Sequence, residues 1–455
     1  MWTVFLLFAV LLGISFFHPL RWAFDGFILI DQLSLVMGAA VSLFSSIVIS
    51  YAVRYLAGAE KLPRFVINCL LFAFSVMFMV MADHIILFIL SWLGMGLLMA
   101  ELIGGYTHYL EGKASKKTAR NYFLLASSLL GTGFVLLALH TGSWSISEIV
   151  QTSVSPGQPE VEIAIFLLIT AAVVQSALYP FQRWLMSSMT APTPASALMH
   201  AGFVNAGAIL LARVAPMLYM EHMLWILVLV GGIGALVGKF SKFVQANIKQ
   251  KLACSTTAQM GFMLLECGLG FFAAAITHLI LHGFYKAYLF LSSGDMVSQV
   301  SPHQDREQQW KPWQLPVTLI SGLVGGLLFA YSTGKGLELN SGLFLTVVIV
   351  LTVIHGSQDL LKHASLSPIF RLIALPLVII PALLVYAVFF DMITHLLAGV
   401  PMVEVPTALT WDQLVIGILY LVSFIVIELK LYKKFGRLYV YLLNISQPKS
   451  NTILQ

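Results

Sequence analysis

Apolar runs of about twenty residues follow one another almost without pause from Met1 to Lys430, and nothing else in the chain restricts the fold as strongly. A run of this length crosses the hydrocarbon core as one helix, because lipid offers the backbone no hydrogen-bond partners and a helix satisfies its own. The runs lie at approximately 2–18, 29–51, 64–82, 84–104, 120–140, 161–180, 194–218, 222–240, 252–269, 272–294, 315–332, 342–360, 367–394 and 410–430. They predict an all-α polytopic membrane protein of some 13–14 transmembrane helices, in a single membrane domain over 1–455. Charged residues make up 10% of the chain, against about 25% in a soluble protein. The first run has neither a basic leader nor a small-residue cleavage site, so it reads as a retained helix. The connections are too short to fold alone. Soluble chemistry is therefore expected on a partner, and no catalytic residue is assigned here.

The charges test this count. If successive connections alternate between the two sides, 21 of the 25 Lys and Arg residues fall on one side, three (Arg21, Arg213, Lys335) on the other, and Lys286 inside the membrane. That bias predicts cytoplasmic termini. No Lys/Arg block of the nucleic-acid-binding kind is present, and Cys69, Cys254 and Cys267 have neither disulfide nor zinc-site spacing. Gly231/Ala235 and Gly234/Gly238 read as small-xxx-small packing pairs, not as a dinucleotide fingerprint. The segment from Leu431 is expected as a short helix on the inner surface.

One run departs from the apolar rule. Ala273–Met296 carries His278, His282 and Lys286 at i, i+4 and i+8, which places them along one helical face over about 12 Å. An ionisable group at bilayer depth costs about 2.5–3.5 kcal/mol, so three in a row need polar neighbours or water. Histidines bonded to carbonyls inside a bundle are one reading, and a ladder of proton or ion sites is the other. A lysine whose carboxylate neighbour moves exchanges its proton readily, and histidine exchanges one near neutrality. Pro192 and Pro194 are expected to break the backbone where the run holding His200 and Asn205 begins, although a simple kink with a packing histidine also fits. His355–Asp359 suggest a second interruption, or a helix leaving the membrane. Gln175, Glu101, Glu266 and Asp31 are the remaining polar residues of interest, Glu101 and Glu266 being equally suited to an interface.

Two blocks resemble a known family. Pro180–Arg213 (PFQRWLMSSMTAPTPASALMHAGFVNAGAILLAR) and Asn247–Gly294 (NIKQKLACSTTAQMGFMLLECGLG through HLILHGFYKAYLFLSSG) resemble the antiporter-like subunits of respiratory complex I and of Mrp-type sodium/proton antiporters. The resemblance implies two inverted five-helix repeats with broken helices. On this chain they would be N-terminal helices over 28–82, a first repeat near 84–218, a second near 222–394, and a last helix and tail over 395–455. It implies that His200 is the broken-helix histidine, that Lys249 is the lysine of a D-I-K motif with Asn247 replacing the aspartate, and that His278, His282 and Lys286 are the H-x-x-x-H-x-x-x-K ladder. Ion translocation is accordingly assigned to His278, His282, Lys286, His200, Lys249, Gln175 and Glu101.

The departures narrow the resemblance. The family's glutamate after a tryptophan is Leu93, following Trp92, and its partner lysine is Gln175. With the wording MHAGFVNAGAILLARVAPML, these changes resemble the membrane subunit of the DAB-type inorganic-carbon accumulation complex. That resemblance implies H⁺ or Na⁺ flow through a prokaryotic inner or plasma membrane. It also implies a large cytoplasmic partner like a zinc β-carbonic anhydrase that hydrates CO2. Zinc is expected on that partner, with no cofactor on this chain. A complex I-like or Mrp-type antiporter subunit is the alternative, and the loop Ser301–Trp313 is a docking candidate by position.

Overall fold

A computed structural model describes residues 1–106, 109–152, 157–292, 313–336, 338–362 and 368–452. Each apolar run has become a helix. In chain order these are α1 (Trp2–Phe17), α2 (Gln32–Tyr55), α3 (Leu62–Met81), α4 (Ile85–Gly104), α5 (Leu110–Thr141), the short α6 (Ile146–Gln151), α7 (Pro159–Gln175) and the short α8 (Arg183–Ser187). Next come α9 (Thr193–Ala201), α10 (Ala206–Arg213), α11 (Ala215–Met220), α12 (Leu224–Val244), α13 (Ile248–Gly268) and α14 (Phe272–Leu291). The set closes with α15 (Gln314–Thr333), α16 (Ser341–Lys362), α17 (Pro368–Leu396), α18 (Trp411–Glu428) and α19 (Gly436–Ile445). Among the described residues, ten spans are long and apolar enough to cross a membrane, α9 and α10 together counting as one of them. The protein is an all-α polytopic membrane protein. Its only sheet among these residues is a small hairpin, Trp22–Phe24 (β1) against antiparallel Ile28–Ile30 (β2), turned by Asp25 and Gly26 with positive φ.

Burial separates centre from periphery. The α9–α10 span is 94% buried, whereas α17 is 11% and α18 17% buried, so the broken helix is central and the last two long helices present their apolar faces outward. α13 and α14 are long enough to span but less apolar, and they form an antiparallel hairpin beside α12 and α9. The tail does not simply lie on a surface. Gln182 Nε2 donates to the Ile445 carbonyl (3.1 Å), Gln245 Nε2 to Ser446 Oγ (2.6 Å) and the Lys449 amide to Ser187 Oγ (3.1 Å), strapping α19 across the α8 region and the end of α12.

Two expected features differ. Pro194 does not break its helix, since it sits in the first turn of α9, where a missing N–H costs nothing. The break falls at Gly202, followed by a 3₁₀ turn over Phe203–Asn205 before α10 resumes, and Asn205 Nδ2 donates to the Ala201 carbonyl (3.0 Å). The second candidate interruption is continuous helix, as α16 runs through His355–Asp359. His355 bonds Glu428 of α18 and faces Asp359 one turn on, so this histidine finds partners without unwinding of the helix. The loop Ser301–Trp313 lies outside the described residues apart from Trp313.

Asp31 ties three elements. It caps α2 through the Ser34 amide (2.9 Å) and forms a buried two-pronged pair with Arg213 at the end of α10, whose guanidinium also reaches Ser34 Oγ (2.9 Å) and the Val80 carbonyl (2.7 Å). Burial alone would raise the Asp31 pKa, but Arg213 and Ser34 hold it below its ordinary value of 3.8. A depressed carboxylate stabilises the fold fully at neutral pH and loses that contribution as pH falls through the folded value. We therefore expect Asp31→Asn to lower stability by about 3–5 kcal/mol at pH 7, because Arg213 is left buried and unpaired, with the gap to wild type closing only below pH 3.8. Thermal melts across pH check both the size and the direction.

Candidate ion-translocation site

The ladder lies along the α13–α14 hairpin. His278 Nδ1 meets Glu266 Oε2 at 3.0 Å near the turn, and the His278 and His282 rings stand edge to face with centroids 6.1 Å apart. Lys286 is fully buried at the other end, its Nζ donating to the Leu252 carbonyl (2.9 Å) in the second turn of α13. His282 is buried and neither ring nitrogen has a partner within the protein. Asn247 explains how α13 begins without an aspartate, since its Oδ1 accepts from the Lys249 amide (2.9 Å) as an N-cap. Lys249 itself sits in that first turn, three residues before Leu252.

Close helix approach brings His200 into this row. At Gly283 an added Cβ would meet Phe44 of α2 at 2.7 Å and the Ala201 carbonyl of α9 at 2.9 Å, so only glycine lets α14 lie against the break in the central helix. His200 stacks on Phe290 of α14 (4.4 Å, 10°), is fully buried, has no partner for either nitrogen, and lies within electrostatic reach of Lys286 and His282. The structure thus gathers His278, His282, Lys286 and His200. It does not bring Glu101 to them. That residue pairs with Lys116 at the end of α4. Gln175 closes α7, buried, with neither amide atom bonded, and Leu93 is a half-buried apolar side chain beside Trp92.

Several neighbours were not assigned from the sequence. Glu266 looked like an interfacial carboxylate, yet it ends the ladder. Its pairing with His278 depends on the tight Gly268–Phe271 turn that folds α14 back on α13, and no residue spacing in either helix marks it. A cavity of about 320 Å³ opens on the Glu266–His278 pair and is also lined by Lys239, Gln259, Tyr386 and Tyr420. Lys239 lies within electrostatic reach of Glu428 and Asp359, and Glu428 in turn bonds His355. At the same end of the ladder Lys335 pairs with Glu404 (2.9 Å) between the Phe271 and Phe390 rings (4.1 and 4.0 Å) and lies within electrostatic reach of Glu266. Lys335 stands outside the spans, where burial pulls its pKa below 10.5 and Glu404 pulls back. Long-range pairing of this kind leaves no local mark on a sequence.

The fold and this row of side chains define a polytopic membrane protein built around a buried track of ionisable groups, beside a broken central helix. The chain belongs to the NADH:quinone oxidoreductase/Mrp antiporter transmembrane family, whose pattern matches residues 82–332. It is similar to the "Probable inorganic carbon transporter subunit DabB1" of Halothiobacillus neapolitanus, at 36% identity over 289 residues, covering 61% of this chain and 51% of that one. It is also similar to the "Probable inorganic carbon transporter subunit DabB" of Bacillus anthracis, at 33% identity over 322 residues, 70% of this chain and 62% of that one. The chain therefore spans about half to three-fifths of the length of these curated relatives. Among solved structures, the Mrp complex from Dietzia sp. DQ12-45-1b matches with a TM-score of 0.58 and 23% identity, over 98% of this chain and 49% of that one, a likeness of fold.

The approach at Gly283 is testable. Gly283→Val puts carbon where Phe44 and the Ala201 carbonyl stand, and overpacking of this kind costs about 1–3 kcal/mol. We expect a lower melting temperature for the purified protein, with Gly356→Val, at a site with open space around it, as the neutral control.

Proposed function

We propose that this chain is the ion-conducting membrane subunit of a two-component inorganic-carbon accumulation complex, and that H⁺ or Na⁺ passes along the α13–α14 ladder. The observation that carries this is the row Glu266–His278–His282–Lys286, buried with His200 alongside. A scaffold that only docked an enzyme would gain nothing from four ionisable groups at depth. Similarity to the DabB proteins supports inorganic carbon as the cargo of the complex. The partner would be a large cytoplasmic protein like a zinc β-carbonic anhydrase that hydrates CO2, with ion flow making hydration one-directional. The membrane would be the prokaryotic inner or plasma membrane, with both termini cytoplasmic, as the charge bias suggests.

On this reading the residues divide the work. The cavity at Glu266–His278 serves as a hydrated antechamber: its walls are mostly apolar, and Lys239, Gln259, Glu266 and His278 are the polar groups that hold water there. Glu266 orients His278 through the 3.0 Å contact between Oε2 and Nδ1. His282 and His200, with ring nitrogens free of protein partners, relay through water to Lys286. Lys286 releases towards the start of α13, where Lys249 stands one turn before its carbonyl partner. Leu93 and Gln175 carry no charge, so the first half offers no comparable acid–base pair and conduction runs through the second.

Three experiments test this. Affinity purification of the tagged chain expressed with its chromosomal neighbours should bring down a large soluble zinc protein; recovery of quinone-reductase or Mrp subunits would instead establish the antiporter reading. Lys286→Ala should abolish growth at ambient CO2 while the complex still assembles, and unchanged growth would overturn conduction through the ladder. Glu266→Gln keeps the side-chain shape and loses the charge. We expect it to slow ion flux through reconstituted complex by about 100-fold or more, the range in which general acid–base groups contribute.

A further inference from the structure

Four basic residues of α5 repeat at i, i+3, i+4 and i+7 (Lys113, Lys116, Lys117 and Arg120), which gathers them on one face of the helix. With Lys61, just before α3, they line a cavity of about 400 Å³ across the end of α4. No side chain of α4 fills it, because Gly104 and Gly105 form its floor. Gly104 has to be glycine, since a Cβ there would run into the Gly112 carbonyl and the Lys116 side chain. Glu101, whose carboxylate lies against Gly105, pairs with Lys116, and among the described residues no carboxylate lines the cavity. Four further cations therefore border one hollow, and Lys113 and Lys117, one helical turn apart, lie within the roughly 8 Å screening length of physiological salt. They repel one another unless an anion sits among them.

The position of the hollow says which anion. α5 has 32 residues and is about 48 Å long, so it outruns a hydrocarbon core of roughly 30 Å, and its first ten residues stand at headgroup level. Continuing along the cationic face, the exposed side chains are Leu124, Ser128, Thr132, Val135 and Leu139, a stripe on which the two small hydroxyl residues stand between apolar ones and Ser128 Oγ is bonded back to the Leu124 carbonyl (2.8 Å). A basic hollow directly above this lipid-facing stripe matches a phospholipid, not a free ion or a flat protein surface. We propose that this cavity is a binding site for the headgroup of an anionic phospholipid. The site is remote from the ladder and does not rest on the function proposed above.

The test uses the full chain, purified and equilibrated in nanodiscs of phosphatidylcholine with or without phosphatidylglycerol, and read by native mass spectrometry and thermal melting. The wild type should retain phosphatidylglycerol in preference to phosphatidylcholine and melt higher in its presence. The K113Q/K117Q/R120Q variant should lose that preference by roughly 10-fold or more, since each cation near an anionic surface contributes to attraction, and should match wild type in phosphatidylcholine alone. K433Q/K434Q, which removes two tail cations, should keep it. If the triple variant does not fold, the single K117Q and R120Q variants, at exposed side chains, should each show part of the loss. Equal phosphatidylglycerol retention by wild type and variants overturns the proposal. So does inorganic phosphate alone raising the melting temperature as far as phosphatidylglycerol does, which would mark a free-anion site. Loss of a co-purifying acidic protein with lipid retention unchanged would overturn it as well.

Discussion

Lys286 must be kept from lipid, and the arrangement of the central helices follows from that requirement. An ammonium at this depth is tolerated only against polar atoms, and here its partner is a backbone carbonyl, that of Leu252. That carbonyl, in the second turn of α13, also accepts from Thr256 Oγ1 one turn on (3.0 Å), so it is a focus of donors beyond the ordinary helix bond. The hairpin of α13 and α14 supplies that carbonyl at one end and Glu266 at the other. Around it stand the most buried segments of the protein, α9 with α10, while α17 and α18 turn most of their surface outward. Polar content and centrality go together because lipid permits no other place for it.

Glycine makes this compatible with close packing. The break at Gly202 frees carbonyl and amide groups that lipid could not satisfy, and it lies inside the bundle, where Asn205 and the neighbouring helices can. Gly283 lets α14 press against that same break, which sets His200 beside His282 and Lys286. Likewise, a Cβ at Gly231 or Gly261 would strike the backbone of the facing helix in the α12–α13 pair. The small-xxx-small reading of that segment was therefore correct in kind, and Gly261, outside the motif, completes it from the other side.

Much of this was legible in the sequence because it is local. Helical runs announce themselves by length and apolarity, and all fourteen expected spans coincide with helical segments. The ladder was legible because its spacing is that of one helix face. What escaped depends on contacts between distant segments. Glu266 and His278 are 12 residues apart and Lys335 and Glu404 lie 69 apart, so neither pairing has a periodicity to read. The helix break was placed at the prolines, since proline is the usual breaker, but a proline in a first turn has no hydrogen bond to lose and the flexible glycine eight residues later took the role.

The two halves of the chain differ in a way that bears on direction. Gln175 is buried with its amide unbonded by protein, so its surroundings still accommodate a polar group, although a neutral one. An amide can hydrogen-bond a passing water but cannot hold or release a proton near neutral pH. Leu93 cannot do even the first. The second half keeps an acid, two imidazoles, a lysine and a cavity in sequence. A conductor with two matched acid–base halves can couple one to the other and so move ions against a gradient. In the function proposed, with Leu93 and Gln175 uncharged that coupling has no second acid–base pair at those positions to act on, and the remaining path suits ions running downhill. On the proposed reading, energy then flows from the ion gradient to whatever reaction the partner performs, and not from the partner into the gradient.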